Sequence, residues 1–177
     1  RVLFRSYLAG HCKQSRFDAW GKGGNMVSQM KKRFARDILG EGGGERPKYS
    51  HLIVLGGIAD IGSNETAGRT LEKIQTDLGA MYRMAHDKGI TVIALTLPPW
   101  GAYYQYNDER HRMMLAMNDW LRKKPAPVSH VVDVFPKLVC KERELCAEYA
   151  SDKIHWNKKG HDLVGQMLLE QIFSDCE

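Results

Sequence analysis

Two runs of the chain, HLIVLGG (51–57) and ITVIALTL (90–97), are apolar at consecutive rather than alternate positions and rich in β-branched residues. A strand with one wet face alternates. A strand apolar on both sides must be covered on both sides, which is the habit of a parallel sheet flanked by helices. Between the two runs, Leu71, Ile74, Leu78, Met81 and Ala85 recur at helical spacing and stop at Gly89, so residues 70–88 are predicted to form the crossover helix. Strand, helix, strand in this order predicts an α/β fold, a three-layer α/β/α sandwich around a central parallel sheet.

The rest of the chain fits that alternation. Leu3, Phe4, Tyr7, Leu8 and Cys12 share a face over residues 2–14, which reads as a short helix, and SRFDAW (15–20) reads as a strand. GKGGN is a turn before a helix over 26–39, and GEGGGERPKYS (40–50) is a loop. After the aromatic loop PPWGAYYQYN come a helix over 108–121, a strand HVVDVF (130–135) and a closing helix over 163–172. The length of 177 residues suits a single domain with a core of its own.

Charge and composition narrow the partners. The net charge of +5 is concentrated in residues 1–50, where eleven Lys or Arg face four Asp or Glu. These cations interleave with Met26, Met30, Phe34 and Ile38 at helical spacing, so they read as a solvated helix face and not as a nucleic-acid site. No apolar run approaches the roughly 20 residues of a membrane span. GEGGGE and GKGGN lack the spacing of a phosphate-binding loop. The histidines outside the last loop show no metal-ligand spacing, so no metal or cofactor is expected.

Four cysteines are too few for a disulfide scaffold. Cys140 and Cys146, six apart in a polar stretch, are expected to form a local bridge, which places the protein outside the cytosol. Cys12 and Cys176 are read as a buried thiol and a tail residue.

The chemistry gathers in loops at the carboxyl ends of strands, where such sheets hold ligands. In SDKIHW, Asp152 and His155 are three apart in a loop, so the carboxylate can accept from one ring nitrogen and leave the other as a base. Trp100, Tyr103, Tyr104 and Tyr106 either stack on a sugar or aryl group or pin their loop by burial.

SDKIHWNKKGH, HLIVLGGIAD and WGKGGNM together resemble the last, third and second blocks of the SGNH or GDSL hydrolases, serine esterases and lipases of flavodoxin-like α/β/α fold. The resemblance spans nearly the whole chain. It implies His155 as general base, Asp152 as its orienting acid and Gly24 as an oxyanion donor. Asn25, Gly57, Pro98, Trp100 and Tyr103 would line the substrate. Ala59 stands where the family carries an asparagine whose amide is a second donor, and Asn64 could substitute only if its loop folds back. The family's Gly-Asp-Ser block does not occur in the sequence. The expectation is that this block and the first strand lie upstream of Arg1; the rival makes RVLF the strand and Ser6 the nucleophile. The implied activity is hydrolysis of an acyl or acetyl ester on a carbohydrate or small lipid, weakened by Ala59. The alternative is a non-catalytic ligand- or carbohydrate-binding domain of the same fold.

Overall fold

The computed structural model describes residues 4–177. In chain order the elements are α1 (Phe4–His11), α2 (Val27–Asp37), β1 (His51–Val54), α3 (Ile58–Gly62), α4 (Leu71–Asp87), β2 (Thr91–Leu95) and α5 (Asp108–Arg122). Then follow β3 (His130–Val132), α6 (Phe135–Leu138), β4 (Val139–Cys140), β5 (Glu144–Leu145), a 3-10 turn (Ala147–Tyr149) and α7 (Lys158–Gln171). The fold is α/β, and its residues group into two compact units. One holds Lys22–Leu97 and Asn107–Asp133; the other holds the chain up to Gly21, Pro98–Tyr106 and Val134–Glu177.

The first unit contains the parallel sheet, in the order β1-β2-β3, with Ile53 beside Ile93 and Ala94 beside Val131. Val92, Ile93, Ala94 and Leu95 of the central strand are all buried, which is why the run is apolar at every position. α4 packs on β2 through the stripe of Ile74, Leu78, Met81 and Ala85. Its start is capped by the Thr70 hydroxyl, which accepts from the Lys73 N–H, and Gly89 follows it at φ 74°. Asn118, buried on α5, both accepts from the N–H and donates to the C=O of Leu97, and so satisfies the backbone where β2 ends.

In this unit the basic residues of α2 do more than meet water. Lys31 reaches Asp77, Arg33 pairs with Asp37, and Arg36 with the same Asp37. The two guanidiniums hold the Asp37 carboxyl down at about 2, the Arg36 hydrogen bond being the larger cause.

In the second unit α1 lies against α7, so closely that a Cβ on Gly165 would overlap the Tyr7 ring. Two sequence expectations are corrected here. Cys12 and Cys176 are bonded to each other across 164 residues, next to a hydrogen bond from the Gln14 N–H to the Glu177 carbonyl. Only the packing of α1 beside α7, with Phe4 against His161 and Tyr7 against Gly165, brings the two ends together, and no local spacing could show it. SRFDAW is not a strand: Arg16 pairs with Asp18, Phe17 packs edge-on to Phe173, and side-chain contacts replace a ladder. Of the rival strand RVLF, Phe4 opens α1 and the remainder lies outside the described residues.

α7 starts five residues before the sequence pattern placed it. Asn157 accepts from the Gly160 N–H and caps the helix, so NKKGH, polar and glycine-bearing, is its first turn. Cys140 and Cys146 are bonded, as their spacing predicts.

Candidate active site

The loop carrying Asp152 and His155 is closed at its base by an antiparallel bridge between Ala150 and Trp156 and by the Ser151 N–H on the His155 carbonyl. Within it one Asp152 oxygen accepts from the backbone N–H groups of Ile154 and His155, at 2.8 and 2.7 Å. The other lies 2.8 Å from His155 Nδ1. These bonds, the His155 backbone N–H first, hold the carboxyl at about 2. An ionised carboxylate only accepts, so Nδ1 carries the proton and Nε2 is left as the acceptor. The side chains of His155 and Asp152 are 73% and 53% exposed, open to an incoming molecule. Geometry and tautomer suit a general base.

Gly24 and Asn25 precede α2. Gly24 has φ 75°, a conformation that suits glycine, and Asn25 closes the turn by donating its N–H to the Lys22 carbonyl. The Asn25 side-chain oxygen accepts from Arg33. Gly57, at φ 132°, turns the chain from β1 into α3, where Ala59 sits on the first turn. Behind Ala59 is a network that sequence reasoning missed. Asp60, fully buried, accepts from the Val27 N–H at 2.9 Å and from Arg69 Nε at 2.7 Å. Arg69 also donates to Asp77, and Asp77 takes Lys31. The acid after Ala59 therefore fastens the Ala59 turn to the start of α2, two residues beyond Asn25. Burial works to raise the Asp77 carboxyl, but the Lys31 and Arg69 hydrogen bonds outweigh it and the net shift is downward. Asn64 accepts from Arg110 through its side-chain oxygen.

In the aromatic loop the two readings divide residue by residue. Pro98 and Trp100 are buried, and the Trp100 ring packs edge-on to Tyr106, its centroid 4.7 Å away. Tyr103 and Tyr104 lie centroid to centroid at 4.6 Å, and Tyr104 is 80% exposed. Their hydroxyls share a hydrogen bond, which pushes Tyr103 above its ordinary value. A cleft of about 310 Å³ is lined by Ala102, Tyr103, Tyr104, Asp152 and Lys153. Burial thus takes Trp100 as a packing group and leaves the tyrosines for contact.

The candidate residues fall into two sets. Gly24, Asn25, Gly57 and Ala59 belong to the sheet-bearing unit; Pro98, Trp100, Tyr103, Asp152 and His155 belong to the other. Within the second, Asp152 and His155 are bonded and Tyr103 shares a cleft with Asp152. The one signal for the Asp60 network was an acid in an otherwise apolar strand end, GGIAD.

Residues 2–163 match the model of the GDSL-like Lipase/Acylhydrolase family, and the chain belongs to that family. It is an ester hydrolase by that membership. No curated protein matches significantly. Among solved structures it is similar to a candidate acylhydrolase of Bacteroides fragilis, at 19% identity and TM-score 0.78, over 97% of this chain and 81% of that one. It is similar to a GDSL-like lipase of Bacteroides thetaiotaomicron, at 16% identity and TM-score 0.74, over 98% and 84%. A variant of an acetyl-xylooligosaccharide esterase from Geobacillus stearmophilus matches at 17% identity and TM-score 0.72, over 94% and 79%. At these identities the likeness establishes the α/β/α fold with its parallel sheet.

Proposed function

We propose that the protein cleaves an acyl or acetyl ester carried on a carbohydrate or small lipid, by the serine mechanism. The observation that carries this reading is the 2.8 Å bond from His155 Nδ1 to an Asp152 carboxylate held ionised. In that mechanism the attacking hydroxyl gives its proton to His155 Nε2 as it adds to the ester carbonyl. The same nitrogen then returns the proton to the departing alcohol. Asp152 holds the imidazolium by charge and orientation. Gly24 is the proposed oxyanion donor, and Ala59 supplies no side-chain donor beside it, so turnover is weak: one such group is worth about a hundred- to a thousandfold.

The carbohydrate reading is supported by the tilted ring pair of Tyr103 and Tyr104 beside Asp152, since a sugar ring buries its apolar face on aromatic rings. One structural relative is a variant of an acetyl-xylooligosaccharide esterase, which favours an acetyl group on a sugar. Two disulfides favour an oxidising compartment outside the cytosol.

A second reading, a binding domain that keeps the cleft, is favoured by Ala59 alone. Assays with 4-nitrophenyl acetate and acetylated xylotriose separate the two. Hydrolysis that disappears in His155→Ala supports the enzyme. Binding of the sugar without hydrolysis, unchanged in His155→Ala, supports the binder.

A further inference from the structure

We propose that the Cys140–Cys146 hairpin is a clasp that positions both walls of the tyrosine cleft, and that opening the bridge by thiol–disulfide exchange weakens its hold on a ring-bearing ester. The hairpin is small. β4 and β5 pair through Val139 with Leu145 and Cys140 with Glu144, with one further bond from the Cys146 N–H to the Leu138 carbonyl, and so short a two-stranded hairpin is marginal in water. Its turn places Lys141 and Glu142 at φ 48° and 67°, in the left-handed region that side chains other than glycine enter at a cost. The covalent bond between Cys140 and Cys146 closes what the ladder alone holds weakly.

Each wall of the cleft is anchored to this hairpin. The Arg143 carbonyl, at the tip, accepts from the Gly101 N–H at 2.7 Å. The two backbones meet so closely that a Cβ on Gly101 would overlap that carbonyl. Gly101 is followed directly by Ala102, Tyr103 and Tyr104, the aromatic wall. On the other side the Cys146 carbonyl accepts from the Tyr149 N–H, and the Tyr149 carbonyl from the Asn157 N–H. Asn157 also donates through its side chain to the Glu148 carbonyl. That turn leads into the bridged loop of Asp152 and Lys153, the second wall. One six-residue link therefore governs the spacing of tyrosines and dyad.

The two disulfides differ in access. Each bridge has one buried sulfur, Cys146 and Cys12, but Cys140 is exposed where Cys176 is only half-buried, so a dissolved thiol meets Cys140–Cys146 first. With a dithiol as reductant, one thiolate attacks a bridge sulfur and the S–S bond breaks, leaving a mixed disulfide and a cysteine thiolate. The second thiol of the reductant then displaces the other cysteine. Two electrons pass to the protein, two cysteine thiols result after protonation, and the reductant leaves as its cyclic disulfide.

The ligand part of this proposal rests on the carbohydrate reading of the cleft, so the test includes a readout that needs no ligand. The whole protein is treated with dithiothreitol until alkylation and mass spectrometry show Cys140 and Cys146 free and Cys12–Cys176 intact; a Cys140→Ser, Cys146→Ser variant is the parallel arm. Hydrogen exchange at the Gly101 amide and the affinity for acetylated xylotriose are measured in both. The expected result is a loss of Gly101 protection and an affinity about tenfold weaker, restored on re-oxidation, because order once built into the site must be supplied on binding. KM for acetylated xylotriose rises by more than KM for 4-nitrophenyl acetate, which is too small to need both walls. Unchanged Gly101 protection overturns the clasp. Lost protection with undiminished affinity overturns its effect on the ligand. Lost protection in a protein that never binds the sugar supports the clasp and overturns the carbohydrate reading.

Discussion

Asp60 and Asp152 are both carboxylates that accept backbone N–H groups and a cationic or cation-forming side chain, yet they are built for opposite ends. Asp60 is fully buried, with Val27 N–H on one oxygen and Arg69, itself 10% exposed, on the other. Asp152 has half its side chain in solvent and bonds Ile154, His155 and the His155 ring. Removing a partner from a buried charge leaves it uncompensated, which costs far more than exposing a charge already wet. Asp60 is therefore a structural anchor and Asp152 an orienting group. The difference shows in what each substitution breaks.

The largest effect is expected at Asp152→Asn, which keeps the shape but loses the charge and inverts the preferred tautomer. Turnover should fall about 10⁴-fold, with the denaturant midpoint nearly unmoved. A large loss of stability would break the comparison from the catalytic side. Next comes Arg69→Met, which strands Asp60 and Asp77. Unfolding free energy should drop by about 3–5 kcal/mol in urea titration, whereas Lys31→Met, removing the 40% exposed end of the same network, should cost no more than about 1 kcal/mol. Equal losses would mean that burial does not set the cost.

Ala59→Asn sharpens the catalytic half. It should raise kcat on a short-chain ester about a hundredfold, with KM little changed, because the added donor strengthens as charge develops on the oxygen. Unchanged turnover in a folded variant would remove Ala59 from the oxyanion position.

The smallest effect is in pH. The Asp152 carboxyl is depressed to about 2, below its ordinary value of about 3.9, so its contribution to the loop is complete above the ordinary value and lost as pH falls through about 2. An NMR titration following the His155 and Ile154 amides should show their bonds to Asp152 persisting through the ordinary carboxylate range and releasing below it. Release at the ordinary value would show that water competes successfully for this exposed acid.

How legible each part was follows from how local its cause is. The parallel sheet could be read because β1 and β2 are apolar on both faces, and α4 because its stripe and cap repeat within a few residues. The dyad could be read because Asp152 and His155 are three apart. The Cys140–Cys146 bridge followed the same logic at a separation of six. α7 was read short because its first turn is polar, and only the Asn157 cap shows that the helix has begun.

What the sequence determined by itself was therefore a set of features whose partners lie within a turn or two: the strands β1 and β2, the helix α4, the bonded pair Asp152 and His155, and the near disulfide. Tertiary structure decided the features made by residues far apart: the Cys12–Cys176 bond, the burial of Trp100 above the tyrosines, and the Asp60–Arg69–Asp77–Lys31 network. A side chain's periodicity and capping act through neighbours along the chain, so they leave a trace in spacing. A buried ion pair or a long-range disulfide acts between segments that meet only after folding, and nothing in the order of the residues measures that distance.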